Sequence, residues 1–409
     1  MNPLSWLRVR VGDFHPANFW AGITLSVYAI FGGLPLYLAV ISQLGLNDKE
    51  SASFILGVYG TSGVFSVLVA FYYRRPFVIT TTLPPVLLLG ALADRFTFAE
   101  MVGANIVASA LIIVFGVSGV GRRVIAWIPL PIVMGMFGGS ILGFVSRMVQ
   151  ASADDTIIAG AAIGGYLAGR VIQRTAFPPI AIALIAGGVA VAATQDATVG
   201  ALSWTLPSFG VPDITFAPAA ILAITPPLLV LSMVLGNIEG ISFLRAQGYS
   251  VPVNRLTVLS GIHSLTNALL GAPPASVGRV AAAILAGPDA GPPESRYWGV
   301  AVVSVAWLPV VVGAGVVASL LGVLPASYVV TMGGLAVLGS LHSAFERAFG
   351  GELRFGALVA LIVASTPFIA GGLPGAFWAI PAGIVFSLAT ERKELMNHWR
   401  PATQSDVAA

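Results

Sequence analysis

The sequence contains no cysteine, and only 9% of its 409 residues are charged. Without cysteine, the chain has no disulfides, no thiol nucleophile and no thiolate metal ligands. Water-soluble domains carry about 25% charged residues, so this scarcity of charge excludes a soluble globular protein. The H-E-x-x-H motif, the phosphate-binding loop and cysteine–histidine clusters are also missing, so we expect no metal, no cofactor and no nucleotide hydrolysis.

Apolar residues take the place of the missing charges and make up 57% of the chain. A helix needs about 20 apolar residues to cross a membrane. The apolar runs lie near residues 18–42, 52–72, 77–93, 99–118, 127–147, 156–170, 178–194, 219–245, 254–270, 271–288, 297–322, 326–345, 354–371 and 374–390. The sequence therefore predicts an all-α polytopic membrane protein with fourteen transmembrane segments. No cleavage-site pattern follows the first run, so we expect no cleaved signal peptide.

The basic residues indicate an orientation for these segments. With the N-terminus inside, sixteen of the 20 lysines and arginines fall in inner segments, and only Lys49, Arg95 and Arg147 fall in outer loops. Cytoplasmic loops of membrane proteins carry the excess of basic residues. We therefore expect a multi-pass protein of a bacterial-type inner membrane with both termini in the cytoplasm. The basic residues belong to the membrane face and do not predict nucleic-acid binding.

The two halves of the chain carry similar proline patterns. Pro84-Pro85 in the third run resembles Pro273-Pro274 in the tenth, and Leu130-Pro131 in the fifth resembles Leu324-Pro325 in the twelfth. Both offsets correspond to a shift of seven runs. Because seven is odd, the second copy enters the membrane from the opposite face. Such inverted repeats are frequent among secondary transporters.

The two proline pairs also predict interrupted helices. Residues 77–82 favour an extended chain before a helix from about Pro84 to Ala93, and residues 271–275 favour one before a helix from Ser276 to about Gly287. Irregular backbone inside a membrane is tolerated only where it is buried in protein or lines a cavity. Both helix N-termini, with their partial positive charge, would then face one anion-binding point. A simple proline kink is the alternative.

Two charged residues remain inside the predicted spans, Glu239 in the eighth and Arg279 in the tenth. An ionisable residue within the membrane is costly and usually functional. We expect Arg279 to bind the substrate anion and Glu239 to carry a coupling proton. Protonation of Glu239 would free Arg279 from an ion pair between them. A purely structural ion pair is the alternative.

Other residues of the interrupted spans complete the predicted site. Thr82 and Ser276 either donate hydrogen bonds to the substrate or cap the helices. Asn237 faces the site or a neighbouring helix, and the aromatic residues Tyr28 and Phe31 either stack on a ligand or pack in the bundle. The predicted substrate-binding residues are Arg279, Ser276, Val277, Asn237, Thr82, Leu83, Tyr28 and Phe31, with Glu239 for proton coupling.

Catalysis is not expected. The segments 60–63 and 116–119 match the short G-x-S-G pattern of intramembrane serine proteases. A serine nucleophile needs a histidine base within hydrogen-bond reach, and the predicted spans of the first half contain no histidine. His263 and His342 are interpreted as structural residues. Because the sequence has no nucleotide-binding motif, active transport would draw on an ion or substrate gradient.

The residues around the tenth run resemble those of the bacterial benzoate transporter (BenE) family. The resemblance rests on Tyr249-Ser250-Val251-Pro252, on Ala282-Ala283-Ile284 and on the segment from Ala286 to Ala290. That family is related in fold to the nucleobase–ascorbate transporters and the sulfate permeases. The resemblance implies seven-plus-seven inverted repeats, a substrate-carrying core that moves against a gate, and a homodimer. It also implies proton-coupled uptake of benzoate or another aromatic carboxylate.

The same resemblance implies a division of the chain. The parts are an N-terminal tail 1–17, a core 18–120 and 218–322, a gate 121–195 and 323–392, and a C-terminal tail 393–409. Nucleobase relatives use acidic residues in both the eighth and tenth spans, whereas the tenth span here carries Arg279, as in anion-transporting relatives. The short C-terminal tail does not predict the regulatory domain of sulfate permeases. The alternatives to an organic-anion symporter are a nucleobase or inorganic-anion carrier and a passive anion channel.

Overall fold

The computed structural model describes residues 11–120, 127–172, 178–194 and 210–399. The predicted tails lie outside the described residues up to residue 10 and from residue 400. The elements of the first half are α1 Pro16–Val27, α2 Leu34–Gln43, α3 Asp48–Ile55, α4 Ser62–Tyr73, β1 Ile79–Thr81, α5 Leu83–Ala91, α6 Phe98–Ser118, α7 Leu130–Asp154, α8 Thr156–Ile172 and α9 Pro179–Thr194. Those of the second half are α10 Pro218–Val230, α11 Glu239–Ala246, α12 Val253–Leu269, β2 Ala275–Val277, α13 Arg279–Leu285, α14 Tyr297–Val312, α15 Ala314–Val323, α16 Ala326–Phe349, α17 Arg354–Ser365, β3 Ile369–Ala370, β4 Leu373–Pro374, α18 Gly375–Thr390 and α19 Arg392–Trp399.

The described part of the chain is mostly helical, as expected for a polytopic membrane protein. Six helical segments in it are long and apolar enough to cross a membrane, and the bent pair α14 and α15 makes a seventh if counted as one span. The shorter apolar helices α8, α9, α17 and α18 accompany them. Each predicted apolar run contains a helix or a strand followed by a helix. The count of fourteen spans stays a prediction.

Three long helical segments contain a π-helical turn. The turn Tyr28–Gly33 joins α1 to α2, and the turn Leu231–Ile238 joins α10 to α11. A third, Leu56–Thr61, joins α3 to α4. Pro35 follows the first of these turns, and Pro226 and Pro227 precede the second. Because proline has no N–H, helical hydrogen bonds are missing near these two breaks, which favours wider turns of this kind, whereas the third turn has no proline nearby.

The two strands at the proline pairs meet each other. Strands β1 and β2 pair antiparallel, with Thr80 opposite Ser276. Helix α5 begins at Leu83, beside the predicted start. The predicted start of the second helix at Ser276 was wrong, since α13 begins at Arg279. The chain stays extended through Val277 because its N–H donates to Asn237 Oδ1 at 2.9 Å.

A buried polar network holds the ends of the strand pair in place. The Asn267 side chain donates to Thr81 Oγ1 and to the Pro273 carbonyl, both at 3.0 Å. Thr61 donates to Asn267 Oδ1 at 2.6 Å and contacts His263 Nε2 at 2.9 Å. His263 is fully buried in this network, as expected for a structural histidine. The strand pairing and the Asn267 side chain therefore pair part of the backbone that the broken helices leave free inside the membrane.

The helices pack in two groups. One group contains α7, α8, α9, α16, α17 and α18, and the other is built around α1, α4, α6, α10, α12 and α14. Between the groups, α2 packs against α16 and α5 packs against α7. The assignment of the first group to a gate and of the second to a moving core stays a prediction.

Candidate functional site

A cavity of about 460 Å³ lies where the two helix groups meet. Its volume is in the usual range for a pocket that encloses a small organic molecule. One wall is formed by the ends of β1 and β2 and the first residues of α5 and α13. Polar and charged residues of α11 and α16 and an aromatic cluster complete the lining. The lining at the helix starts is Thr80, Thr81, Thr82, Leu83, Pro84, Gly278, Arg279 and Val280, and the other polar, charged and aromatic lining residues include Tyr28, Tyr37, Tyr59, Phe137, Tyr166, Glu239, Trp307, Ser340, Ser343 and Arg347.

One carboxylate in this cavity lies between two guanidinium groups. Arg279 Nε is 3.2 Å from Glu239 Oε2, and Arg347 Nη2 forms an ion pair with Glu239 Oε1. The side chains of Glu239, Arg279 and Arg347 are 15%, 52% and 29% exposed, so the carboxylate is the most buried of the three. With Glu239 ionised, the cluster carries one net positive charge. Such a cluster attracts anions, and the half-exposed Arg279 is the member that a ligand reaches most easily.

Glu239 reaches this position because two glycines let its helix approach β2. A Cβ on Gly236 would collide with the Ser276 side chain, and a Cβ on Gly240 would collide with the Val277 carbonyl. The glycines flanking Glu239 therefore accommodate another backbone segment. Any larger side chain would push α11 and its carboxylate away from Arg279.

The two helix starts differ in what they offer a ligand. Thr82, Leu83 and Pro84 line the cavity at the start of α5, and Gly278, Arg279 and Val280 line it at the start of α13. Pro84 and Pro85 have no N–H, so two of the first three helical donors of α5 are missing. Helix α5 contributes mainly the field of its dipole, whereas α13 contributes the guanidinium of Arg279.

The aromatic cluster forms an apolar wall of the cavity. The ring of Tyr59 packs edge-on against Tyr37 and Trp307, with ring centroids 5.9 and 5.4 Å apart. The Tyr59 hydroxyl donates to the Ala29 carbonyl at 2.8 Å, which fixes the ring. Trp307 Nε1 is buried and makes no hydrogen bond within the described part of the chain. The three rings are almost fully buried, so the wall is rigid and offers a ligand apolar contact.

Only some of the site residues predicted from the sequence line the cavity. Arg279, Thr82, Leu83, Tyr28 and Glu239 line the cavity, whereas Phe31, Asn237, Ser276 and Val277 are not part of its lining. Asn237 accepts from Ser260 Oγ at 3.1 Å as well as from Val277, and Ser276 contacts Thr82 Oγ1 at 3.2 Å. In this conformation Asn237, in the π-helical turn before α11, connects β2 to α12 through these hydrogen bonds. Direct contact of these four residues with substrate stays a prediction.

Sequence reasoning missed Arg347. The charge pattern assigns it to the basic residues of the inner membrane face, but it lies in the last turn of α16 and lines the cavity. Ser340 and Ser343 on the same helix also line the cavity. The spacing of these three residues, i, i+3 and i+7, places them on one helix face. This polar stripe in the C-terminal half of the helix was the available signal.

The chain matches known transport proteins over nearly its whole length. A family model described as benzoate membrane transport protein (BenE) matches residues 12–389. The chain is 28% identical over 396 residues to the inner membrane protein YdcO of Escherichia coli, covering 94% of this chain and 99% of that protein. It is 22% identical over 382 residues to the benzoate membrane transport protein of Acinetobacter baylyi, covering 93% and 96% of the two chains.

Solved structures share the fold at low sequence identity. The transmembrane domain of the cyanobacterial bicarbonate transporter BicA aligns with a TM-score of 0.56 and 14% identity, over 96% of this chain and 98% of that one. SLC26A9 aligns with a TM-score of 0.62 and 13% identity, over 96% of this chain and 67% of that one. The fold is therefore that of a membrane transporter, and the expectation of a non-enzymatic protein is confirmed. Because the family model matches almost every residue, the chain belongs to the benzoate membrane transport protein (BenE) family.

Proposed function

We propose that the protein is a secondary active transporter for a small organic anion, with benzoate or another aromatic carboxylate as substrate. The observation that carries this proposal is the Arg279 guanidinium, ion-paired with Glu239 in a cavity that also has an aromatic wall. Guanidinium groups bind carboxylates strongly, and aromatic rings bind a planar ring. The name of the Acinetobacter relative, a benzoate membrane transport protein, supports the same substrate class.

The ion pair suggests how a proton is coupled to the substrate. When Glu239 is ionised, its carboxylate occupies the position beside Arg279 that a substrate carboxylate requires. Protonation of Glu239 removes this competitor and frees the guanidinium. Because an unpaired charge in the membrane is costly, proton and anion binding favour each other. The expected result is symport of the anion with a proton.

The proposed architecture has fourteen spans in two inverted repeats. The antiparallel pairing of β1 with β2 supports it, because two segments related by inversion run in opposite directions. The π-helical turns in the first and eighth spans support it as well. We place the protein in a bacterial inner membrane, in agreement with the name of the Escherichia coli relative. The excess of basic residues in the inner segments is the reason for placing both termini in the cytoplasm. The helix group of α1, α6 and α12 would form the moving core, and the group of α7 and α16 a gate and homodimer interface.

A thermal-shift screen on the purified protein tests the substrate class. The screen compares benzoate with its uncharged analogue benzamide, with uracil and with bicarbonate at equal concentrations. A larger stabilisation by benzoate than by the other three supports the proposal, since a ligand that binds only the folded state raises the melting temperature. Stabilisation by uracil or bicarbonate alone would contradict it.

An inorganic-anion carrier is the second candidate. BicA, which shares the fold, is a bicarbonate transporter, and the net positive charge of the cavity suits any small anion. The aromatic wall is what favours the aromatic carboxylate over bicarbonate. Substitution of Trp307 by Leu therefore distinguishes the two: it would weaken benzoate binding and leave bicarbonate binding unchanged if the wall serves the ring.

A further inference from the structure

The Glu239 carboxylate connects two helices that belong to different packing groups. Arg279 begins α13, which packs against α11, the helix of Glu239 itself. Arg347 lies in the last turn of α16, which packs against α7 and α8. One carboxylate oxygen faces each arginine. The two guanidinium groups therefore approach the same small volume from opposite sides.

Arg347 compensates the charge on one particular oxygen of the Glu239 carboxylate, Oε1. Glu239 Oε1 is buried and makes no hydrogen bond within the described residues, and Arg347 is the cation beside it. A buried carboxylate oxygen without compensation is strongly destabilising. Arg347 thus neutralises one half of the carboxylate, and Arg279 neutralises the other half.

The charge balance of the site changes when Arg347 is included. Glu239 and Arg279 alone form a neutral pair, whereas the three groups together keep one positive charge. Two guanidinium groups facing one carboxylate form a geometry that matches the two oxygens of any carboxylate. The Glu239 carboxylate is therefore a built-in occupant of a position that fits the carboxylate of a substrate.

The polar face of α16 supports a role in ligand contact. Ser340 and Ser343 line the same cavity on the same helix face as Arg347. Serine hydroxyls donate hydrogen bonds to anions, and a purely apolar bundle helix would not need them. The cavity is thus polar on the α16 side and aromatic on the side of Tyr59 and Trp307.

We propose that Arg347 is a second substrate-binding residue, which clamps the substrate carboxylate from α16 while Arg279 holds it from α13. This rests on the proposed function, since it names the second half of the same anion site. The two arginines favour a ligand with a carboxylate over an uncharged ligand of the same shape, such as benzoate over benzamide. This clamp also makes the substrate a bridge between the two helix groups in the conformation described.

Binding to purified variants tests this proposal. Arg347→Gln, Arg347→Lys and Arg279→Gln are compared with the wild type by calorimetry, using benzoate and benzamide as probes. Arg354→Gln is the matched control, because Arg354 is an exposed arginine whose Nε donates to the Gly351 carbonyl at 2.6 Å and which does not line the cavity. We expect Arg347→Gln to weaken benzoate affinity about tenfold or more and to leave benzamide affinity unchanged. Arg347→Lys should fall between, since lysine keeps the charge without the planar fork.

The double variant distinguishes a shared ligand from two independent effects. If both arginines hold one carboxylate, the loss in Arg279→Gln/Arg347→Gln will differ from the product of the single losses. Wild-type affinity in Arg347→Gln together with weakened affinity in Arg279→Gln would overturn the clamp and leave the proposed function intact. Wild-type affinity in both variants, or no benzoate binding by the wild type, would overturn both. Equal losses for benzoate and benzamide would show a structural effect and would also overturn the clamp.

Discussion

Glu239 and Arg347 form an ion pair although they lie on helices that pack in different groups. Together with Arg279 the pair forms a three-residue cluster, in which one carboxylate partly neutralises two guanidinium groups. Any change in the ionisation of Glu239 therefore alters both the anion site and the electrostatic connection between the groups. In the proposed mechanism, substrate binding, protonation and helix-group movement are linked at this one side chain.

Substitution of Arg279 should remove the anion site. We expect Arg279→Ala to weaken benzoate binding by roughly 30-fold or more, because it removes hydrogen bonds from a guanidinium to the substrate carboxylate, which together contribute about 2 kcal/mol. Equilibrium binding of labelled benzoate to the purified variant measures the effect, with Arg354→Gln as the control. Unchanged affinity in Arg279→Ala would show that the substrate binds elsewhere.

The pH dependence of binding should depend on Glu239. Because proton and anion binding favour each other in the proposed mechanism, benzoate affinity should rise on acidification. The measurement covers about pH 8 to 5.5, a range in which an aromatic carboxylate stays ionised. Glu239→Gln mimics the protonated side chain and should bind benzoate with an affinity that hardly changes over this range. Titrations at several pH values check this. A wild-type pH profile in Glu239→Gln would contradict the proton role.

The sequence predicted the two extended segments and raised the Glu239–Arg279 ion pair because each depends on rare local features. Pro84-Pro85 and Pro273-Pro274 indicate the interrupted helices, and Glu239 and Arg279 are conspicuous charges in apolar runs. The late start of α13 was not predictable, since it depends on the hydrogen bond from Val277 to Asn237, 40 residues away in the chain. Arg347 was missed for a similar reason. Its position near a helix end resembles that of a surface residue, and only the fold brings it to Glu239.

The close approach of α11 to β2 should be sensitive to a single methyl group. Gly240→Ala would place a Cβ against the Val277 carbonyl, and overpacking of this kind typically costs about 1–3 kcal/mol. We expect a lower melting temperature and weaker benzoate binding. Gly143→Ala is the matched control, because a Cβ on Gly143 meets nothing within 4 Å. Equal melting temperatures for the two variants would show that α11 and β2 have room to separate.

Uptake of labelled benzoate into proteoliposomes under an inward proton gradient tests the central claim most directly. Protein-free liposomes measure the diffusion of neutral benzoic acid, which is subtracted, and Glu239→Gln proteoliposomes provide the matched control. We predict concentrative uptake by the wild type, whereas Glu239→Gln exchanges benzoate across the membrane without concentrating it. Equal accumulation by the two proteins, or a benzoate conductance that does not respond to the proton gradient, would contradict proton-coupled transport through Glu239.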